Sequence, residues 1–179
     1  MKIRRPAALA VAPVVITALA ACDPDPGSVA ACEAGAATVD LATVSDAVPA
    51  PRSAELQAWL ATGGYADFLP ESAAHPSVGP HGRVRTFVNR QLATSLTSCS
   101  ESHPLGSAAV KELFTEAGLR GWAVMIKTEA GPGANAWYWY EVFSTATDAT
   151  PAVSGQSAGT CTGCHDGGLD AVRTRWPLS

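Results

Sequence analysis

The sequence predicts a mainly β fold: an antiparallel sheet with a few short peripheral helices, the last of them a helical turn near the C-terminus. The stretch RVRTFVN (83–89) alternates, with Val84, Thr86 and Val88 on one face and Arg85 on the other, as is typical of a strand. The runs GWAVMIKTE (121–129) and NAWYWYEVF (135–143) are rich in β-branched and aromatic residues. The AGPGA between them predicts a hairpin, so we expect antiparallel pairing.

Short helices are expected around this sheet. The stretch SAELQAWLATGG (53–64) places Leu56, Trp59 and Leu60 on one helical face, with Ser53 as the N-cap. The stretch RQLATSL (90–96) predicts a second helix, and residues 157–165 predict a third. SAAVKELF (107–114) is interpreted as a further strand, in which Ala109, Lys111 and Leu113 share a face.

The N-terminus has the features of a bacterial export signal. Three basic residues precede an apolar run over residues 7–21 that is too short to cross a bilayer comfortably. The sequence Leu-Ala-Ala-Cys22 resembles a lipobox, so we expect a lipoprotein-type signal peptide over residues 1–21 and acylation of Cys22. An ordinary signal peptide cut nearby is the alternative. The expected location is the periplasmic side of the cell envelope, with a lipid anchor in the membrane.

The composition of the rest of the chain separates a tether from a folded domain and excludes nucleic acid as a partner. Residues 22–51, rich in Ala, Pro, Asp, Ser and Val, predict a flexible tether, and residues 52–179 predict the folded domain. Loss of the three basic residues of the signal lowers the formal charge from −4 to −7. A chain this acidic is not suited to binding nucleic acid through its phosphates.

The five cysteines fall into three groups. Cys22 is assigned to lipid, and Cys161 and Cys164 belong to a motif near the C-terminus. Cys32 and Cys99 remain, and in an oxidising compartment a disulfide between them is the natural expectation. Two unpaired thiols are the alternative.

The stretch TCTGCHDGG (160–168) contains C-x-x-C-H, the attachment sequence of c-type haem. Both thiols add to porphyrin vinyl groups. On a helical turn Cys161, Cys164 and His165 face the same way, so His165 can serve as the proximal ligand of the haem iron. The sequence thus predicts one covalently bound haem c. The alternatives are a thioredoxin-like pair, which lacks a surrounding βαβ pattern, and half of a zinc site, which lacks a second ligand pair.

The distal side of this predicted haem is expected to be open. No Met, His or Cys follows His165, so a sixth ligand would come from upstream, from a lysine or from His75, His81, His103 or Met125. Met125 is expected in the core, and His75 and His103, which each precede a proline, are expected in surface loops. An open haem binds or transforms small molecules, whereas a six-coordinate haem mostly transfers electrons.

From about residue 52 to the end, the chain resembles the cytochrome P-460 and cytochrome c′-beta family. The resemblance lies in four blocks that occur in the same order: HGRVRTFVN, LGSAAVKELF, WAVMIKTEAGPGANAWYWYEVF and CTGCHDGGLDAVRTRW. The resemblance implies an antiparallel β fold, one five-coordinate c-type haem and usually a homodimer. It also implies a haem oxidoreductase that oxidises hydroxylamine, or a protein that binds nitric oxide without turnover. An electron-transfer cytochrome with a redox partner is the competing class, and an envelope protein without haem, with a Cys161–Cys164 disulfide, is a third.

The resemblance also assigns roles to residues of the sheet. GSAAVKEL (106–113) matches the strand whose lysine is bonded to the haem macrocycle in hydroxylamine-oxidising members, which places Lys111 at that position. Arg85 corresponds to an arginine that enters the distal pocket. For both, a solvated face of the sheet is the alternative, and Lys127 is expected to be exposed.

The sequence departs from the family pattern at Ala123, which stands where the oxidising members carry a proton-accepting glutamate. Alanine cannot relay a proton, so slow turnover of hydroxylamine is expected. If turnover is fast, Glu129 or Asp67 are the residues expected to replace that glutamate.

Overall fold

The computed structural model of the protein describes residues 40–77 and 79–178. The predicted signal peptide, the predicted lipidation site Cys22 and the cysteine Cys32 lie outside these residues. Within the described part of the chain, no helix is long and apolar enough to cross a membrane.

Over the described residues the fold is an antiparallel sheet of seven strands with three short α-helices, which confirms the mainly β class. The strands are β1 (Leu69–Pro70), β2 (His75–Pro76), β3 (Arg83–Val88), β4 (Ala108–Thr115), β5 (Gly118–Lys127), β6 (Trp137–Val142) and β7 (Val153–Gln156). They pair in the order β1-β3-β4-β5-β6-β7, and β2 also pairs with β3. The predicted hairpin is therefore present between β5 and β6.

The helices lie where the sequence predicts them: α1 (Ser53–Ala61), α2 (Arg90–Thr97) and α3 (Gly159–His165). Ser53 is the first residue of α1 and does not cap it, because the N-cap position is Arg52, which makes no side-chain cap. In contrast, Asn89 caps α2 by accepting a hydrogen bond from Leu92 N at 3.0 Å. Asn89 Oδ1 also accepts from Ala108 N at 2.9 Å, which ties α2 to the start of β4.

The sheet packs on both faces. The first face carries Phe87, Val110 and Val124, which pack with α1. The second face carries Val88, Met125 and Trp139, which pack with α2 and with the segment after α3. Because alternate residues point to opposite faces, each strand contributes to both layers, and the candidate site lies on the second face.

The described part of the predicted tether packs against the domain. Val44 is 7% exposed, and Ser45 N donates to Asp67 O at 2.9 Å. Asp46 accepts hydrogen bonds from Gln91 N and the Arg90 side chain at the start of α2. The folded domain therefore includes residues before 52, which composition alone assigned to a flexible segment.

Two residues predicted at the surface are buried. Lys127 is 1% exposed, because its Nζ forms an ion pair with Asp170 at 2.7 Å. His103 is 3% exposed, and its backbone N–H donates to the same Asp170 carboxylate at 2.7 Å. Both predictions of exposure were wrong, since each polar group has a buried partner that lies far away in the sequence.

Candidate functional site

A cavity of about 360 Å³ opens on the second face of the sheet. Its walls are α3, residues within the segments 71–77 and 79–81, the central strands β3 to β6 and the residues Arg173, Thr174 and Arg175. This volume is within the usual range for small-molecule and cofactor sites.

The α3 wall brings together the three residues of the C-x-x-C-H motif, since Cys161, Cys164 and His165 all line the cavity. Cys161 is a free thiol, and burial raises its pKa to about 11, with a smaller contribution from the charge of Glu141. Cys164 takes part in a disulfide bond. Because Cys161 is free, the two cysteines are not bonded to each other, and the thioredoxin-like disulfide is absent from the described residues.

His165 is held in one tautomer. Its Nδ1 lies 2.7 Å from Ala171 O, and because a carbonyl oxygen can only accept, Nδ1 carries the proton. The lone pair of Nε2 is therefore left for a metal or another donor. Burial lowers the pKa of His165 to about 4, so the ring is neutral near neutral pH. The Trp139 ring packs against it with the centroids 4.5 Å apart.

The sheet wall is built on one row of residues across four strands. Thr86 lies opposite Lys111, Lys111 opposite Ala123 and Ala123 opposite Glu141. Residues directly opposite one another share a face, so Lys111 and Glu141 both point to the second face, with their backbones about 10 Å apart. The methyl group of Ala123 leaves room between the two longer side chains.

Lys111 is half-buried and lines the cavity on the second face of the sheet. Burial, together with the nearby charge of Arg173, lowers the pKa of Lys111, while the charges of Glu71 and Glu141 oppose this shift. A lowered pKa increases the fraction of neutral amine, which is the nucleophilic form of lysine.

Two carboxylate–imidazole pairs also line the cavity, and the sequence did not predict them as pairs. His81 Nδ1 donates to Glu141 Oε1 at 3.0 Å, and His75 Nε2 donates to Glu71 Oε2 at 3.1 Å. Glu71 is 6% exposed and also accepts from Thr86 N at 2.6 Å. One signal for Glu141 was visible in the sequence: it is the acid within the otherwise apolar and aromatic stretch of β6.

The structure does not bring Arg85 to the cavity, so its assignment to a distal pocket is corrected. Arg85 lies on the first face, where its Nε donates to Glu71 O at 2.9 Å and its guanidinium lies 5.0 Å from the centre of the Phe87 ring. The physical reason is the register of β3, which pairs Thr86 with Lys111 and Arg85 with Glu112.

Of the other residues that the sequence suggested for the site, some line the cavity and others do not. Met125 packs in the core, as predicted, and also lines the cavity. His103, Glu129 and Asp67 are not among its lining residues. Cys99 is disulfide-bonded, but Cys32 lies outside the described residues, so their pairing stays a prediction.

Comparisons with known proteins give no relative: no protein-family model, no curated protein and no solved structure matches this chain. Within residues 40–77 and 79–178, no three His, Cys, Asp or Glu side chains are arranged so that they could hold a metal ion together.

Proposed function

We propose that this is an exported c-type haem protein. Cys161 and Cys164 would hold the haem through thioether bonds, and His165 would bind its iron. One observation carries the proposal: the three residues of the attachment motif line a single cavity, and the hydrogen bond to Ala171 O leaves His165 Nε2 available. The haem would supply a redox-active iron with an open coordination position for a small nitrogen compound such as hydroxylamine or nitric oxide.

The residues of the cavity fit such a group, with one condition. The thiol of Cys161 is free, whereas the sulfur of Cys164 is in a disulfide bond. The same sulfur cannot be in a disulfide and a thioether, so the disulfide at Cys164 must be reduced before attachment. Arg173 and Arg175 on the cavity wall offer positive charge to the two carboxylates of a haem.

The other side chains of the cavity favour chemistry on a bound molecule over simple electron transfer. Lys111 and the pairs Glu141–His81 and Glu71–His75 are titratable groups gathered around one cavity, which is typical of a functional site. Hydroxylamine oxidation releases protons as electrons leave, and a carboxylate bonded to an imidazole can accept and pass on a proton. Glu141, rather than Glu129 or Asp67, is therefore the candidate for the base that Ala123 cannot provide.

The test is to express the full chain in a host that matures haem c and to record its mass and absorption spectrum. We expect one covalent haem and a high-spin iron. A low-spin, six-coordinate spectrum would identify an electron carrier instead. A protein that stays without haem in that host would refute the proposal.

Replacement of Lys111 tests the bond to the macrocycle. If Lys111 is bonded to the macrocycle, the wild type shows a red-shifted ferrous Soret band, and both Lys111→Met and Lys111→Arg lose it. The Arg variant is the matched control for charge, because a guanidinium keeps the positive charge without the nucleophilic amine. Spectra of both variants that equal the wild-type spectrum would show that Lys111 is not bonded to haem, and would assign the protein to the ligand-binding class.

Replacement of Glu141 tests proton transfer in the cavity. We expect Glu141→Gln to lower the kcat of hydroxylamine oxidation, measured with an added artificial electron acceptor, by about 100-fold or more, which is the usual contribution of a general base. Ala123→Glu should raise turnover, because it adds a carboxylate between Lys111 and Glu141 in the same row. Glu129→Gln, at an exposed position outside the cavity lining, is the control and should leave turnover unchanged. Equal rates for Glu141→Gln and the wild type would exclude Glu141 as the base.

A further inference from the structure

The turn after α3 has an unusual backbone. Leu169 and Val172 exchange two backbone hydrogen bonds of 3.0 Å, and the two residues between them, Asp170 and Ala171, have φ angles of 44° and 69°. Positive φ at both central positions defines a type I′ turn, which strongly favours Asn-Gly or Asp-Gly. Ala171 lacks the freedom of glycine, so the conformation must be held by surrounding contacts.

The Asp170 carboxylate supplies most of these contacts. Both of its oxygens lie 2.7 Å from Lys127 Nζ, and both side chains are fully buried. The carboxylate also accepts from His103 N at 2.7 Å and from Gly133 N at 2.8 Å. Lys127 Nζ donates in addition to Gly131 O at 2.6 Å. The turn is thus tied to the end of β5 and to the loop between β5 and β6.

A second contact holds the first residue of the turn. His103 Nε2 donates to Leu169 O at 3.2 Å, and its Nδ1 accepts from Ser95 Oγ at 2.8 Å. Together, these hydrogen bonds hold the carbonyl oxygen of Ala171 in place, 2.7 Å from His165 Nδ1.

We infer that Lys127 and Asp170 are positioning residues for His165. Their ion pair holds the turn of residues 169–172, so that the Ala171 carbonyl keeps the proton on Nδ1 and leaves Nε2 as the ligand atom. The role of Nε2 as an iron ligand depends on the proposed function, but the control of the tautomer does not. A hydrogen bond to the second nitrogen of a ligating imidazole fixes its orientation and increases its basicity.

The competing explanation is an ion pair that contributes only to stability. The two explanations differ in one observable, the position of the proton on the His165 ring. A purely structural pair changes the free energy of unfolding and leaves this proton on Nδ1, whereas a positioning pair changes both.

The experiment measures the ring nitrogen shifts of His165 by long-range ¹H–¹⁵N NMR in the full chain without haem. We expect a proton on Nδ1 in the wild type, and a measurable fraction of the Nε2–H tautomer in Asp170→Asn. Leu60→Ala, in the core on the first face, is the control for lost stability and should keep the wild-type tautomer. In the haem-loaded protein, Asp170→Asn should raise the reduction potential, because a less basic imidazole stabilises the oxidised iron less.

Three results would overturn the inference: a proton on Nε2 in the wild type, an unchanged tautomer in folded Asp170→Asn, or the same tautomer shift in Leu60→Ala. If Asp170→Asn does not fold, the double variant Lys127→Met/Asp170→Asn leaves no unpaired buried charge and is measured instead. An unchanged tautomer in that double variant also overturns the inference. Absence of haem in the wild type, together with the expected tautomers, would refute the proposed function and leave this inference standing.

Discussion

Loss of covalent haem is the expected result of replacing either cysteine of the C-x-x-C-H motif. Cys161→Ala and Cys164→Ala each remove one of the two sulfurs that would bond to the porphyrin, so the normal two-thioether product cannot form. His165→Ala removes the proposed proximal ligand and is expected to change the spin state of any haem that is retained. The measurement is the pyridine haemochrome spectrum, with intact mass, of protein matured in a host that assembles haem c.

Cys99→Ala provides the control for these variants. Cys99 is also a disulfide-bonded cysteine, but it is not among the residues that line the cavity. This variant should therefore keep any haem that the wild type attaches, while losing a cross-link. Wild-type spectra from all three motif variants would show that the motif does not attach haem.

A large loss of stability is expected for Asp170→Ala. The substitution leaves the Lys127 ammonium buried without its partner, and it removes the acceptor of two backbone N–H groups. Breaking a buried ion pair in this way costs about 3–5 kcal/mol in the free energy of unfolding. Denaturation by urea, followed by tryptophan fluorescence, measures the change.

Two comparisons separate the ion pair from the general effect of an aspartate substitution. Asp148→Ala, at an exposed position, should change the free energy of unfolding by less than about 0.5 kcal/mol. The double variant Lys127→Met/Asp170→Leu should be more stable than Asp170→Ala, because it leaves no uncompensated charge. An Asp170→Ala protein as stable as Asp148→Ala would contradict the importance of the pair.

Local sequence patterns predicted the fold well. Alternation correctly assigned the two faces of β3, and the turn residues between two aromatic runs correctly gave the β5–β6 hairpin. Cys161, Cys164 and His165 all line one wall of the cavity, because a helical turn fixes their relative directions without help from the rest of the chain.

The pairing register between strands could not be predicted from the sequence. This register determines which other side chains reach the cavity. Lys111 and Arg85 were both expected near the predicted haem, but Arg85 lies opposite Glu112, so it shares a face with Glu112 rather than with Lys111. Glu141 reaches the cavity because β5 and β6 pair Ala123 with it. Each of these placements depends on hydrogen bonds between separate strands, which a single sequence does not specify.

Lys127 shows a different limit of prediction from local sequence. Its neighbours Thr128 and Glu129 suggested exposure, yet alternation from Ala123 and Met125 places it on the second, buried face. Its partner Asp170 lies 43 residues away, after the last helix. A buried charge is stable only with such a partner, so local alternation could indicate the face of Lys127 but could not identify the distant carboxylate that allows its burial.

The Asn89 cap of α2 affects how this part of the molecule unfolds locally. Asn89 is fully buried, and its side chain joins three backbone groups: Leu92 N, Ala108 N and Gly106 O. The first turn of α2 cannot unwind without also releasing the first residue of β4, three positions before Lys111. In terms of native-state fluctuations, helix and strand then form one cooperative unit, and the wall that carries Lys111 is protected from the fraying common at the ends of short helices.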